Sequence, residues 1–327
     1  MTLTASLPVI TADDLALVQQ DQRAAARQLR LGIIASVSAS VLFAVLFIAA
    51  APLAGVGSET FVGWRILLTV PLMAPLMLLL GQWSTVRETL ARLRRSPRLI
   101  PLVALNTALL APQFYLFAWA PQHGYGLELT LGYLLLPLVV VLMGVLFFGE
   151  RLGRLRLAAV SAAALGVGIG LVAAGGLHWT TLASAGGYAA YFSLRRASGL
   201  NSTGSTFVEL LLLWPLMLWL VLQPGAITAV STSGWVLVGL VTVGLVSAGA
   251  VLAYMLAARF LPLNLFGLLG YLEPLLMLPV ALLLGGAIHG ASWWTYGLIG
   301  VALVLLAVEG ARTLRRRDAL PAEGAGH

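Results

Sequence analysis

The sequence predicts an all-α integral membrane protein: ten transmembrane helices arranged as two inverted five-helix repeats. Three observations carry this. First, the 327 residues are 60% hydrophobic and 9% charged, whereas a soluble domain has roughly 25% charged residues. So little polar surface cannot cover a water-soluble fold of this size. Second, the apolar residues fall into ten runs separated by short loops. Third, the arginines occur in alternate loops.

Residues 1–30 form a polar leader, in which Asp13 to Leu29 is rich in Ala, Leu and Gln and is expected as a surface helix ahead of the membrane. No cleavable signal is expected, because the first apolar run lacks a small-residue cleavage pattern. The ten runs lie at 31–52, 60–80, 99–120, 127–148, 155–174, 179–194, 207–222, 235–258, 263–284 and 293–308. Each of the longer ones reaches about 30 Å at ~1.5 Å per residue, enough to cross a bilayer. The sixth is short and weakly apolar, with Gly186, Gly187 and several hydroxyls. Trp235, Trp293 and Trp294 stand at run starts and read as interfacial belt residues. Gly166, Gly168, Gly170, Gly297 and Gly300 are expected at close helix contacts.

Charge sets the topology. All 19 basic residues are arginine and the net charge is +7. Arg23, Arg27 and Arg30 precede the first run. Arg87, Arg92, Arg94, Arg95 and Arg98 lie between the second and third. Arg151, Arg154 and Arg156 follow the fourth, Arg195 and Arg196 the sixth, Arg259 the eighth, and Arg312, Arg315, Arg316 and Arg317 the tenth. The intervening loops carry none, so both termini are expected in the cytoplasm. Charge in short inter-helix clusters is not a nucleic-acid footprint. The chain has no cysteine, and its four histidines are scattered singly. No metal or other cofactor is expected, and no enzyme constellation is visible.

The fourth and ninth runs resemble each other. Each contains Leu-Gly-Tyr and then a proline, and Glu150 lies thirteen residues after Pro137 as Ala287 lies thirteen after Pro274. The two runs enter from opposite sides, so the second copy is inverted. The division is then 1–30 leader, 31–175 first repeat, 176–312 second repeat and 313–327 cytoplasmic tail. Inverted repeats place a site between the halves, near the midplane.

Polar groups inside the runs are the candidate site, because burying charge in a bilayer is costly. Glu273 lies deepest, beside Pro274, and is the candidate proton or substrate-amine site, with a structural acid at the kink as the alternative. Arg65 and Glu128 sit nearer the outer surface, where they could form an ion pair or an outer gate. Glu209 sits near the cytoplasmic end of the seventh run, within reach of Arg195, Arg196 or Arg259. Ser36 and Ser40, with Thr181, Ser184, Tyr188 and Tyr191, line a polar interior. Asn106, Gln113, Trp119, Tyr133, Tyr254 and Tyr271 complete an amide- and aromatic-rich cavity.

These residues resemble the EamA-type permeases of the drug/metabolite transporter superfamily, and within it the RarD-like group. The resemblance is carried by Glu59-Thr-Phe-Val-Gly-Trp-Arg65, Phe117-Ala-Trp119, Glu128 with Leu131-Gly-Tyr133 and Pro137, and Phe148-Gly-Glu-Arg151. In the second half it is carried by Tyr191 before Arg195-Arg196, by Glu209 with Pro215, and by Gly267 through Tyr271-Leu-Glu-Pro274. It implies ten inverted-repeat helices in the inner membrane and alternating-access export of small amino-acid-like or amphiphilic metabolites, drugs among them, with proton antiport as the candidate coupling. Three positions depart from the group's pattern: Trp64 replaces a histidine, Gln113 an asparagine, and Ala287 the closing glutamate. The expected partners are a small-molecule substrate, protons and the lipid bilayer, with a homodimer left open. An importer or exchanger, or a non-transporting sensor or assembly protein, is the alternative reading.

Overall fold

A computed structural model describes residues 12–149, 153–173, 178–231, 234–261 and 269–285, with most positions from 293 to 308. Glu150, Arg151, Gly267, Ala287 and the tail 313–327 lie outside the described residues, as does part of the leader. Among the described residues there are α-helices and two short 3₁₀ turns, and no strand.

The helices follow the apolar runs. They are α1 (Ala12–Ala50), α2 (Ser58–Leu79), α3 (Trp83–Arg95), α4 (Ile100–Gln122), α5 (Gly126–Phe148), α6 (Arg154–Ala173), α7 (Trp179–Ser198), α8 (Thr203–Val221), α9 (Pro224–Ser231), α10 (Gly234–Phe260) and α11 (Leu272–Leu283). Described positions from 293 to 308 are also helical. Six helices are long and apolar enough to cross a membrane: the 27–50 part of α1, then α2, α4, α5, α8 and α10. The protein is therefore a multi-pass membrane protein. Helix α7 falls short on apolarity because its core-facing side is built from Thr180, Thr181, Ser184 and Tyr191.

Three details differ from the sequence reading. The leader is not a separate surface helix, because α1 runs unbroken from it into the first span. The arginine-rich loop after the second span is itself a helix, α3. The ninth run is interrupted: Gly270 and Tyr271 form a turn, and α11 starts only at Leu272. Its counterpart α5 continues through Tyr133 and across position 137.

The bundle is assembled through small residues. Helix α1 packs on α10 and α11, α2 on α8 and α10, α4 on α7 and α8, α5 on α7 and α11, and α3 on α8. The glycine of the first Leu-Gly-Tyr, Gly132, lets α5 approach α7 closely; a Cβ there would stand 1.8 Å from Ser184 Oγ. Gly170 meets Thr295 in the same way, whereas a Cβ on Gly168, Gly297 or Gly300 would meet nothing within 4 Å among the described residues. Exposed Trp235, Trp293 and Trp294 ring the bundle's outside, as amphipathic indoles do at a bilayer surface.

The loops sort to two ends. At one, Arg92 donates to the carbonyls of Gly199 (2.6 Å) and Ser198 (3.3 Å), and Arg259 to that of Leu80. At the other, Gln122 accepts from Ser58 Oγ (2.7 Å) and donates to the carbonyl of Ala50 (3.0 Å).

Candidate functional site

Arg65 stands seven residues into α2, about 10 Å along the helix. It is 2% exposed, among the most buried large side chains described. Its Nε donates to Ser247 Oγ on α10 at 3.1 Å, and Thr69 Oγ1 lies 2.9 Å from the same hydroxyl. Its guanidinium carbon sits 5.3 Å from the Phe114 ring centroid and 4.8 Å from that of Phe117, both on α4. Two π-faces partly replace the solvation the cation has lost. Nη1, however, has no hydrogen-bond partner among the described residues, and a buried cationic N–H is costly to leave so.

The expected pairing of Arg65 with Glu128 does not form. Oε2 of Glu128 is likewise unpartnered, while its backbone carbonyl accepts from Thr181 Oγ1 at 2.7 Å. The reason lies in the packing. Helix α2 turns Arg65 toward α10 and α4, whereas α5 carries Glu128 onto α7.

Glu273 sits in the first turn of α11, directly after the Gly270–Tyr271 break. A helix begun inside a membrane protein aims its positive dipole end and unbonded N–H groups at whatever lies before it. A carboxylate there is favoured, which the sequence reading of a mid-helix acid missed. Arg65, Tyr133, Tyr188 and Tyr254 all lie close enough to Glu273 to interact with it electrostatically. The Tyr133 and Tyr188 rings are 5.7 Å apart. Tyr188 stacks on Phe192 at 5.8 Å, and Phe43 meets Tyr254 edge-on at 6.4 Å. Five helices, α2, α5, α7, α10 and α11, thus deliver an arginine, a carboxylate and three tyrosines to one region, in which Arg65 and Tyr133 are buried, Tyr188 and Glu273 half-buried and Tyr254 exposed. Tyr271 is half-buried in the turn before Glu273.

A second polar cluster occupies the arginine-rich end. Arg195 Nη1 pairs with Glu209 Oε2 at 2.8 Å, with the two side chains 7% and 0% exposed. Tyr191 donates to the same oxygen at 2.7 Å. Arg195 also reaches Tyr191 Oη (2.6 Å), Thr206 Oγ1 (3.0 Å) and the carbonyl of Ser202 (2.9 Å). Asn106 approaches Glu209 from α4, but its amide atoms and Glu209 Oε1 close no hydrogen bond of proper geometry. Of the three arginines considered for Glu209, the partner is Arg195.

Two other expected cavity residues are used elsewhere. Gln113 donates to the carbonyl of Ala183 at 3.2 Å and fills the space a Cβ on Gly187 would need, so it serves the α4–α7 contact. Trp119 belongs to an aromatic stack at the end opposite the arginines, 4.5 Å from His123, 5.3 Å from Tyr125 and 5.4 Å from Trp179. Ser247 and Phe114 carry no role in the sequence analysis, and Phe117 enters it only within the Phe117-Ala-Trp119 motif. A lone serine in an otherwise apolar Leu245-Val246-Ser247 stretch is the available signal for the first; nothing distinguishes Phe114. Among the described residues, no three metal-ligating side chains converge.

No family model matches the sequence. The chain is 38% identical over 291 residues to a chloramphenicol-sensitive protein RarD of Pseudomonas aeruginosa, covering 88% of this chain and 96% of that one. It is 35% identical over 286 residues to an uncharacterized transporter of Pasteurella multocida, covering 88% and 98%. A third relative, an uncharacterized transporter of Haemophilus influenzae, is 36% identical over 279 residues. A solved crystal structure that is 20% identical aligns over 90% of this chain and 99% of that one with a TM-score of 0.58, a likeness of fold.

Proposed function

We propose that this chain, which belongs to the RarD-like family of transporters, is a secondary exporter of small amino-acid-like or amphiphilic compounds, working by alternating access with proton antiport. The observation that carries the reading is the interior constellation. Arg65 from the first half and Glu273 from the second face one region without pairing, among Tyr133, Tyr188 and Tyr254. Arg65 is buried and Glu273 half-buried, and unpaired charge within a membrane-spanning bundle is expensive and marks a pathway for substrate or ions. Opposite charges beside aromatic faces suit a ligand with both polar and apolar parts.

The packing supports an inverted-repeat arrangement of ten spans. Exchange α1 with α7, α2 with α8, α4 with α10 and α5 with α11. The contact of α1 on α10 then becomes α7 on α4, α1 on α11 becomes α7 on α5, and α2 on α10 becomes α8 on α4. All of these contacts are present. The pairs α2–α8 and α5–α11 map onto themselves. On this reading the arginine-rich end is cytoplasmic, as the positive-inside rule requires, and Glu273 is the coupling carboxyl.

The test is flux in proteoliposomes under an imposed pH gradient, screened with amino acids, their derivatives and amphiphilic cations. Glu273→Gln is expected to abolish gradient-driven flux at near-normal expression. Wild-type flux in that variant rejects the coupling role, and no gradient-driven flux of any of these compounds in wild type rejects the antiport reading.

A further inference from the structure

Helix α3 is absorbed by neither cluster, and its three faces differ sharply. One face is spent on α8. Val86 and Thr89 are buried there, and Thr89 Oγ1 lies 3.2 Å from Ser202 Oγ and 3.3 Å from Ser205 Oγ. The Thr85 Oγ1 to Thr203 Oγ1 distance is 3.1 Å. Gly204 lets the two backbones touch, since a Cβ there would stand 2.3 Å from the carbonyl of Thr85. The α3 orientation is therefore fixed.

The next face carries Arg87, Leu90 and Arg94. Their spacing of three and four residues stacks them on one stripe, and all three are exposed, Leu90 by 42%. Arg98, just beyond the helix, is exposed as well. The third face, turned away from Leu90, carries Glu88 and Arg95, seven residues apart. The helix is also confined to the membrane boundary. It joins the end of α2, where Leu78 and Leu79 are 58% and 82% exposed, to the start of α4, where Ile100 is 55% exposed. Those apolar side chains mark the edge of the hydrocarbon beside it.

We infer that the Arg87–Leu90–Arg94 stripe is a binding face for anionic phospholipid headgroups, with Leu90 seated at the acyl boundary and the two guanidiniums on the lipid phosphate. The chemistry follows from the layout. Guanidinium presents a fork of donors that matches phosphate oxygens in two-point contact. An exposed leucine between two arginines is the pattern of a helix lying in the interface plane. The acid of the helix, Glu88, is placed on the other side, where it does not offset the stripe. Because α3 is bolted to α8, a lipid held here is held by the transporter's second half. The inference rests on the membrane-spanning fold and is independent of substrate or coupling.

Native mass spectrometry of the full chain in neutral detergent, titrated with phosphatidylglycerol or phosphatidylcholine, tests it. Phosphatidylglycerol is expected to be retained preferentially. Arg87→Gln and Arg94→Gln should each weaken its retention about five-fold, and Leu90→Ser should weaken it with charge unchanged. Arg95→Gln, which removes the same charge from the solvent face, should change it less than two-fold. Equal retention of the two lipids, no loss in either on-stripe arginine variant, or an equal loss in Arg95→Gln overturns the inference. All four side chains are exposed, so the variants are expected to fold, and an unchanged melting temperature in lipid-free detergent verifies that they do.

Discussion

Removing one member of the Arg195–Glu209 pair should cost far more than removing both. The pair is 2.8 Å long with side chains 7% and 0% exposed, so each single truncation strands a charge where water does not reach. Such losses run to about 3–5 kcal/mol. The two singles are not equivalent. Without Glu209, Arg195 keeps three neutral acceptors, on Tyr191, Thr206 and Ser202, which places Glu209→Met near about 3 kcal/mol. Without Arg195, Glu209 keeps only the Tyr191 hydroxyl among the described residues, where its Oε1 already lacks a partner. Arg195→Met therefore lies near about 5 kcal/mol. The double variant Arg195→Met/Glu209→Met replaces the pair by apolar side chains of similar length and should return to within about 1–2 kcal/mol of wild type. At about 1.5 °C per kcal/mol for a chain of this length, the singles melt roughly 4–8 °C lower in detergent and the double close to wild type. A double variant whose loss equals the sum of the singles would mean no coupling between the two side chains, and would refute the account of this cluster.

Gly132→Ala should destabilise by about 1–3 kcal/mol, because its Cβ would meet Ser184 Oγ at 1.8 Å and the Thr181 carbonyl at 2.8 Å. Gly168→Ala, with open space around it, should be neutral or stabilise by up to about 1 kcal/mol in the same melt. Arg65→Lys keeps the charge but loses the planar contact with Phe114 and Phe117 and the Nε bond to Ser247. Flux in proteoliposomes should fall by about ten-fold or more, and undiminished flux would remove Arg65 from the pathway. A periplasm-dependent reporter fused near His123 should be active and one fused near Arg92 inactive; the reverse result refutes the orientation.

The sequence was most informative along the chain and least informative around each helix. Spans are legible because a bilayer imposes a run length, and α2, α4, α5, α6 and α10 begin and end within two residues of the apolar runs. The arginines identified a common end because their cost outside water is large. What sequence could not supply was azimuth relative to neighbours. Arg65 sits near one end of its helix, which the sequence indicates, but its partner depends on which helices flank α2. Ser247 and the two phenylalanines became neighbours only through packing. The break at Gly270–Tyr271 was half-legible: Pro274 signalled loosened backbone, but a proline disturbs the residues before it, so the interruption lies N-terminal to Glu273 rather than at it. Helix α3 was hidden by composition, since a thirteen-residue stretch with four arginines and few apolar residues reads equally as a loop.

The two clusters also bear on how the proposed cycle opens. Arg65 and Glu209 occupy near-equivalent places, the eighth residue of α2 and the seventh of α8, in helices that exchange under the proposed inverted symmetry. One keeps an unpaired N–H facing the interior; the other is locked to Arg195. The lock should not be judged by its mutational cost. Mutation strands one charge in a dry site, whereas opening the cytoplasmic end would hydrate both charges together and recover the solvation that closing removed. A buried pair gains little over its hydrated state, because desolvation nearly cancels attraction. The barrier that substrate or proton must offset is therefore a few kcal/mol at most, which corresponds to a preference of about a hundred-fold for one state over the other. An apolar plug of the same size lacks that refund on hydration. In the proposed cycle the Met/Met variant should therefore be stable yet slow: thermally close to wild type, with flux reduced by about ten-fold or more as the closed end loses its route to opening. Wild-type flux in that variant would assign Arg195–Glu209 to structure alone.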